Sequence, residues 1–160
     1  MIIRRLHESD DFNDLVFLSK AFFPEYASCH RAFFELDNLN DEDIKAYFSS
    51  FVGDDDHVAF VAIEENRIIG YITVYVQTQP SYWKVKHVAH ISGLMVGQEH
   101  RRSGIATQLL AEAKLFFAEH GVTYFTVYTA VKNRSGVAFY QAQGMEALHT
   151  NFLGQIGSEN

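Results

Sequence analysis

A junction between a strand and a helix constrains this sequence more than any other feature. The stretch MVGQEHRRSGIATQLL, residues 95–110, begins like a buried strand and ends like a helix. Between the two lie Arg101, Arg102 and Gly104. A helix leaves its first backbone N–H groups without partners and carries partial positive charge there. The junction therefore predicts an anion site, with phosphate as the obvious ligand.

The small residues of this junction fit the same interpretation. Gly104 removes a side chain where an anion would approach the backbone, Ala106 keeps that approach open, and Thr107 offers a hydroxyl group. The junction lacks both the GxxxxGK[ST] and the GxGxxG patterns of common nucleotide sites. On the residues alone, a plain strand-to-helix turn with exposed arginines stays an equal alternative.

The first half of the chain combines strand and helix patterns. IIRRL predicts a first strand, and Asp10 or Asp11 is expected to cap a helix that starts at Phe12. A second helix is expected to begin at residues 41–43, which are all acidic. The run HVAFVAIEENRIIGYITVYV predicts a hairpin, and KVKHVAHISGLMV a third long strand, with Gly93 marking a bulge or a close backbone approach.

The second half alternates between helices and strands. A helical stripe that starts at Ile105 ends near Gly121, YFTVYT predicts a strand, residues 135–143 predict a helix that Gly144 ends, and EALHTNFL predicts a last strand at 146–153. This order favours a single α/β domain over residues 1–160 with some parallel pairing.

Composition limits the location and the partners. The net charge of -7 argues against a general nucleic-acid binder, although residues 84–134 carry seven basic against three acidic residues. The single cysteine, Cys29, shows no dependence on an oxidising compartment, and we see no signal peptide or membrane-spanning run. We therefore expect a cytoplasmic protein without a membrane partner. His87 and His90 fall on opposite faces of a strand, so we expect no metal site.

Two ordered motifs resemble those of a known family. RRSGIA matches the pattern of Arg or Gln, two residues, Gly, one residue, then Gly or Ala, and LMV ends the strand before it. NRSGVAFYQAQGM supplies a late Asn, then a Tyr followed by Gly and an apolar residue. From about Ala89 to Met145 the chain resembles the GCN5-related N-acetyltransferase (GNAT) superfamily of acyl-CoA-dependent acyltransferases.

This resemblance implies a particular architecture. The expected fold is α/β (α+β), with a mixed, mainly antiparallel sheet of six to seven strands flanked by about four helices. A splayed strand pair would form the acyl-CoA cleft. Residues 1–83 would be the acceptor-side half and residues 84–153 the acyl-CoA-binding half. The superfamily often forms dimers, so a homodimer is also an expectation.

The resemblance also assigns residues to acetyl-CoA, the implied co-substrate. Backbone N–H groups of the turn would hold its pyrophosphate, the strand edge would pair with its pantetheine arm, and Asn133 and Phe139 would lie beside that arm. The implied cofactor-binding residues are Leu94, Met95, Val96, Arg101, Arg102, Ser103, Gly104, Ile105, Ala106, Thr107, Asn133, Phe139 and Tyr140. Tyr140 would give a proton to the departing thiolate, unless it is only a half-buried helix aromatic.

The general base departs from the family pattern. The carboxylate that many members place before the end of this strand is replaced here by Ser92, Gly93 and Leu94. His90 shares a face with Ser92 if the strand alternates regularly, and its ordinary pKa of about 6.5 suits deprotonation of an ammonium group. His90 is therefore the candidate base, with a structural histidine as the alternative.

The resemblance implies transfer of an acetyl group to a primary amine by direct attack in a ternary complex. Between Glu35 and Asp56, eight acidic residues are interleaved with aromatic ones, which suits a small cationic amine but also suits a simple amphipathic helix. A protein N-acetyltransferase, or a non-catalytic acyl-CoA-binding or regulatory module that lost its base, stays open.

Overall fold

The computed structural model describes residues 1–157, which form one mixed sheet with helices on both of its faces. The strands are β1 (Ile2–Arg5), β2 (His57–Glu64), β3 (Arg67–Thr78), β4 (His87–Val96) and β5 (Phe125–Val127). The helices are α1 (Phe12–Ala27), α2 (Asp41–Ser49), α3 (Ile105–Glu119) and α4 (Arg134–Ala142). A 3₁₀ turn, Gln98–His100, lies between β4 and α3.

The strands lie in the order β1-β2-β3-β4-β5. The first four pair antiparallel, and β5 joins β4 in parallel, which confirms the expected mixed sheet. The predicted hairpin connects β2 to β3 through Glu65 and Asn66, whose φ angles are 48° and 61°. A two-residue turn of this kind needs positive φ at both positions, because only then does its twist match that of the strands.

Asx side chains begin the first two helices. The Asp11 carboxylate accepts a hydrogen bond from the Asn13 backbone N–H and caps α1. Asp10, the other candidate cap, instead accepts two hydrogen bonds from Arg4. Asn40 caps α2 in the same way as Asp11 caps α1, by accepting from the Asp43 N–H. These short side chains satisfy donors that a helix start leaves unpaired.

Two hydrophobic layers enclose the sheet. On one face α3 packs against the strands, with Leu109, Leu110 and Phe116 fully buried. On the other face α1 and α2 cover the sheet, with Leu15 and Phe48 buried against it. The apolar stripe predicted for residues 105–117 is therefore the core-facing side of α3. In the part of the chain that the structure describes, no helix has the length and apolar character needed to cross a bilayer.

The sheet has five strands within residues 1–157, whereas six to seven were expected. The prediction of a last strand at residues 146–153 is wrong, since this segment has no strand backbone and exposes Leu148 and Phe152. The neighbouring strand, β5, is only three residues long. An eight-residue strand would find little edge to pair with there, so this segment forms no hydrogen-bonded ladder with it.

A bulge in β4 lies just before the part of the strand that has no partner on the β5 side. Thr73 pairs with Gly93 and Val74 with Ile91, so Ser92 is an extra residue on β4. A Cβ atom on Gly93 would lie 2.9 Å from the Thr73 hydroxyl oxygen, which explains the glycine. Pairing of β4 with β5 ends at Ile91 and Val127, where β5 itself ends, so the last five residues of β4 have no strand partner on that side. This open stretch lies where the resemblance implied a splayed strand pair.

Candidate active site

The start of α3 presents unpaired backbone donors to solvent. Gly104 is the N-cap residue with φ 82°, a left-handed conformation that favours glycine, and no side chain caps the helix. The first turn contains no acidic residue. A Cβ atom on Gly104 would have its nearest neighbour, the Gln108 amide nitrogen, 4.0 Å away. Open space therefore lies beside Gly104, where the first N–H groups of α3 begin, as an anion site requires.

The exposed edge of β4 leads directly to this turn. The Gly97 N–H donates to the Ile69 carbonyl of β3 at 2.8 Å. The backbone N–H and C=O groups of successive residues in a strand are directed to alternate sides. The N–H and C=O groups of Leu94 and Val96 are therefore directed away from β3, toward the side on which β5 pairs with the first part of β4. Met95, between them, is buried on the α1 face. The Val96 carbonyl on this edge accepts from Arg101 Nε at 3.2 Å, so the Leu94 N–H and C=O groups and the Val96 N–H are the ones open to an extended ligand.

The two arginines of the turn have different surroundings. Arg101 forms a two-pronged ion pair with Glu25 of α1, with nitrogen-to-oxygen distances of 2.8 and 3.1 Å. Hydrogen bonding to this guanidinium lowers the pKa of the Glu25 carboxyl. Arg102 is exposed, has φ 62°, and makes no ion pair with any residue in 1–157. The Ser103 hydroxyl donates to the His100 carbonyl. Arg102 is therefore the arginine that is available to an incoming anion.

The opposite wall of the cleft is built around Asn133. Its side-chain oxygen accepts from the Gly136 N–H at 3.2 Å and caps α4, while its amide nitrogen donates to Thr129 at 3.0 Å. Gln143, at the C-terminal end of α4, donates to the hydroxyl of Thr107 in the first turn of α3 at 3.2 Å. The two sequence motifs thus meet in space. Asn133 is a helix cap as well as a candidate ligand for pantetheine.

Phe139 and Tyr140 are adjacent on α4. Phe139 packs against the α3-side core, with its ring centroid 5.2 Å from that of Tyr140. Burial raises the pKa of the Tyr140 phenol to about 12, because the phenolate form is disfavoured away from water. Its hydroxyl has no hydrogen-bond partner within residues 1–157, and no fully buried side-chain polar atom there lacks one. The Tyr140 hydroxyl is therefore protonated at neutral pH and accessible.

His90 is buried on the face of β4 that looks toward α1 and α2. Its Nδ1 atom lies 2.9 Å from the Thr126 hydroxyl of β5. The rings of Tyr75 and Tyr128 lie 5.2 and 4.9 Å from the imidazole, centroid to centroid. Burial lowers the pKa of His90, so the imidazole is neutral at pH 7. Ser92 lies on the same face, as predicted.

Comparisons with known proteins agree with this geometry. The Acetyltransferase (GNAT) family matches residues 19–145, most of the chain. The chain belongs to the GNAT family of acetyltransferases. It is thus an acetyltransferase, and the family resemblance read from the sequence is confirmed.

Solved structures share the GNAT fold along nearly the whole chain. The tetramutant of the BH1408 protein from Bacillus halodurans has a TM-score of 0.83 at 19% identity, over 98% of this chain and 100% of its own. AAC(6')-Iy, in complex with the bisubstrate analog CoA-S-monomethyl-acetylneamine, has a TM-score of 0.76 at 18% identity, over 96% of each chain. The aminoglycoside acetyltransferase meta-AAC0020, from an uncultured soil metagenomic sample, has a TM-score of 0.71 at 25% identity, over 97% and 95%.

Tyr47 takes part in a cluster of hydroxyl groups that the sequence did not predict. Its hydroxyl lies 3.2 Å from the Thr73 hydroxyl and 3.3 Å from that of Ser92, which also donates to Thr73 at 2.8 Å. Three hydroxyl groups from α2, β3 and β4 thus meet at the bulge. Tyr47 is 45 residues from Ser92 in sequence. Its position among aromatic residues of α2 gave only a general indication of an acceptor wall.

Proposed function

We propose that this GNAT acetyltransferase transfers an acetyl group from acetyl-CoA to a primary amine of a small cationic molecule, by direct attack within a ternary complex. One observation carries the proposal. The part of β4 that has no strand partner beyond Ile91, Ser92–Val96, is followed after one short turn by the N-terminus of α3, which no side chain within residues 1–157 caps. An extended, amide-bearing arm that ends in a pyrophosphate fits this combination of a strand edge and a helix start.

The residues of the turn and of the two walls divide the work of binding. Backbone N–H groups from Arg102 to Thr107, including those of Ser103, Ile105 and Ala106, would hold the pyrophosphate, and the Arg102 side chain would add charge. Leu94 and the N–H of Val96 would pair with the pantetheine arm, since the Val96 carbonyl accepts from Arg101. Asn133 and Phe139 would contact the arm from the α4 side.

The catalytic step needs one base and one acid. The amine nitrogen attacks the thioester carbon, His90 accepts the proton that the amine loses, and the carbon–sulfur bond breaks. Tyr140 gives its proton to the departing sulfur and regains one from solvent. A backbone N–H near Val96 would stabilise the negative charge on the carbonyl oxygen. In the tautomer whose Nδ1–H donates to the Thr126 hydroxyl, the Nε2 lone pair is the one that accepts the proton.

The acceptor site would lie on the α1 and α2 face of the sheet. The rings of Tyr47, Tyr75 and Tyr128 surround the approach to His90 and Ser92, and residues 54–56 add three carboxylates near the start of β2. Aromatic faces and carboxylates both attract an organic cation. The aminoglycoside acetyltransferases among the structural neighbours act on small amines of this kind.

Two measurements test the proposed function. Calorimetry of the wild-type chain with CoA tests the cofactor site. Release of free CoA from acetyl-CoA, followed with a thiol reagent across aminoglycosides, polyamines, arylalkylamines and lysine peptides, tests catalysis. The matched controls are the N-acetylated forms of the same amines, which lack a nucleophile. CoA release that exceeds these controls only for small cationic amines is expected. Binding of CoA without release for any amine would instead indicate a non-catalytic module.

A further inference from the structure

Arg101 makes three contacts that fix its guanidinium. Its two terminal nitrogens donate to the two carboxylate oxygens of Glu25, and its Nε donates to the Val96 carbonyl at 3.2 Å. One terminal nitrogen also lies 3.9 Å from the Met95 sulfur. A guanidinium held in this planar, two-pronged way has its charge balanced by the carboxylate. Arg101 therefore connects α1, the end of β4 and the phosphate-binding turn.

The charge of Glu25 makes this arrangement informative. An arginine that binds phosphate needs its terminal nitrogens free. A carboxylate bound to both of them would have to be displaced by the phosphate. The pair spans 76 residues of sequence and joins the acceptor-side helix to the acyl-CoA side. The neighbouring Arg102 already offers an unpaired guanidinium at the same turn.

The next residue of α1 contacts the other wall of the cleft. Burial raises the pKa of the Tyr26 phenol, and the nearby backbone N–H of Ala130 opposes that rise. Ala130 lies between β5 and α4, and the Tyr26 ring stacks on Phe22 with centroids 5.6 Å apart. Adjacent residues of α1 therefore reach the β4 side and the β5 side of the splayed pair. This is a second, independent indication that the end of α1 spans the cleft.

We propose that Glu25 is a positioning residue for acetyl-CoA binding, which holds the phosphate-binding turn in place through Arg101. Arg101 acts through Glu25 and Val96, and it is not a phosphate ligand. This inference rests on the proposed function, because it assigns the turn to acetyl-CoA. It also places a determinant of cofactor affinity on the acceptor-side helix, so that the two substrate sites share one structural element.

A double-mutant cycle of Glu25→Gln and Arg101→Gln tests the inference, with CoA affinity measured by calorimetry. Each single change is expected to weaken CoA binding about three- to tenfold, in line with a two-pronged but partly exposed ion pair, and the double change no further. The reversed pair, Glu25→Arg with Arg101→Glu, is expected to recover most of the affinity. Acetyl transfer at saturating acetyl-CoA is expected to keep its kcat while KM rises.

If Arg101 instead bound the phosphate directly, the variants would change CoA affinity in the opposite direction. Glu25→Gln would then free the guanidinium and tighten CoA binding, and the reversed pair would bind worst because it puts a carboxylate at the phosphate. Either result overturns the inference, whereas amine-dependent release of CoA by the wild type still upholds the proposed function. No CoA binding by the wild type would overturn both. Arg102→Gln is the matched control: it should weaken binding and reduce its salt dependence, whereas Arg101→Gln should leave the salt dependence unchanged.

Discussion

Replacing Gly104 by Asn or Asp separates charge from shape at the proposed pyrophosphate site. Both side chains have the same size and tolerate the left-handed backbone better than other residues, and the nearest atom to a Cβ is 4.0 Å away. The φ angle of 82° makes each variant less stable than the wild type by about 1 kcal/mol. The difference between the two variants is therefore one negative charge at the start of α3.

That charge is expected to have opposite effects on the free and the ligand-bound protein. Without ligand, the positive end of the helix stabilises the introduced carboxylate. The free energy of unfolding of the Asp variant should therefore exceed that of the Asn variant by about 0.3–1 kcal/mol. With CoA, a carboxylate about 5 Å from a pyrophosphate costs about 1–2 kcal/mol under surface screening, or about tenfold in Kd. The Asn variant should bind more weakly than the wild type, and the Asp variant more weakly again.

The assay pairs thermal unfolding of the free proteins with calorimetric titration of CoA at low and high salt. The Asp-to-Asn ratio of Kd values should fall toward one at about 1 M salt, because charges are screened over only about 3 Å there. Equal affinities at low salt would refute the assignment of this turn to the pyrophosphate. A lower stability of the free Asp variant would refute the description of the helix start as an uncapped positive site.

Three further outcomes follow from the site and the core. Tyr140→Phe should lower kcat by about a hundredfold and leave the CoA Kd unchanged; equal losses in both would contradict its role as the acid. For the wild type, kcat/KM should rise with pH and level off below neutrality, because burial places the pKa of His90 below 6.5. His90→Gln should abolish this rise of kcat/KM with pH. An unchanged pH profile in the variant would exclude His90 as the base. Buried Asp14 accepts hydrogen bonds from Arg67 and the Ile68 N–H at 2.6 and 2.9 Å. Asp14→Asn should therefore lower the free energy of unfolding, measured in urea, by about 1–3 kcal/mol. A decrease smaller than the experimental error would contradict this.

Local rules of the sequence predicted the features that are decided within a few residues. Asp11, one of the two candidate caps, begins α1, Glu65 and Asn66 form the turn of the predicted hairpin, and α3 begins at Ile105, directly after Gly104. In each case the backbone conformation depends on one side chain and its immediate neighbours. The same locality explains why the strand-to-helix junction could be identified from residues 95–110 alone.

The rest of the site depends on contacts between distant segments. Glu25 and Arg101 are 76 residues apart, and no pattern near either residue indicates the pair. The wrong prediction of a strand at residues 146–153 has a related cause. A strand needs a partner edge as well as a suitable sequence, and β5 offers only three residues. A sequence pattern indicates that a segment can form a strand, whereas the fold determines whether a partner edge is available to it.

The same physical cause prepares the proposed base and the proposed acid. Burial disfavours whichever form of a group is charged, and the charged forms of His90 and Tyr140 have opposite signs. It therefore lowers the pKa of the imidazole and raises that of the phenol to about 12. Both groups are neutral at pH 7, one with a lone pair to accept a proton and the other with a proton to give. Burial can thus prepare an acid and a base without the carboxylate that β4 lacks, and kcat/KM should not vary with pH between the pKa of His90 and that of the acceptor amine.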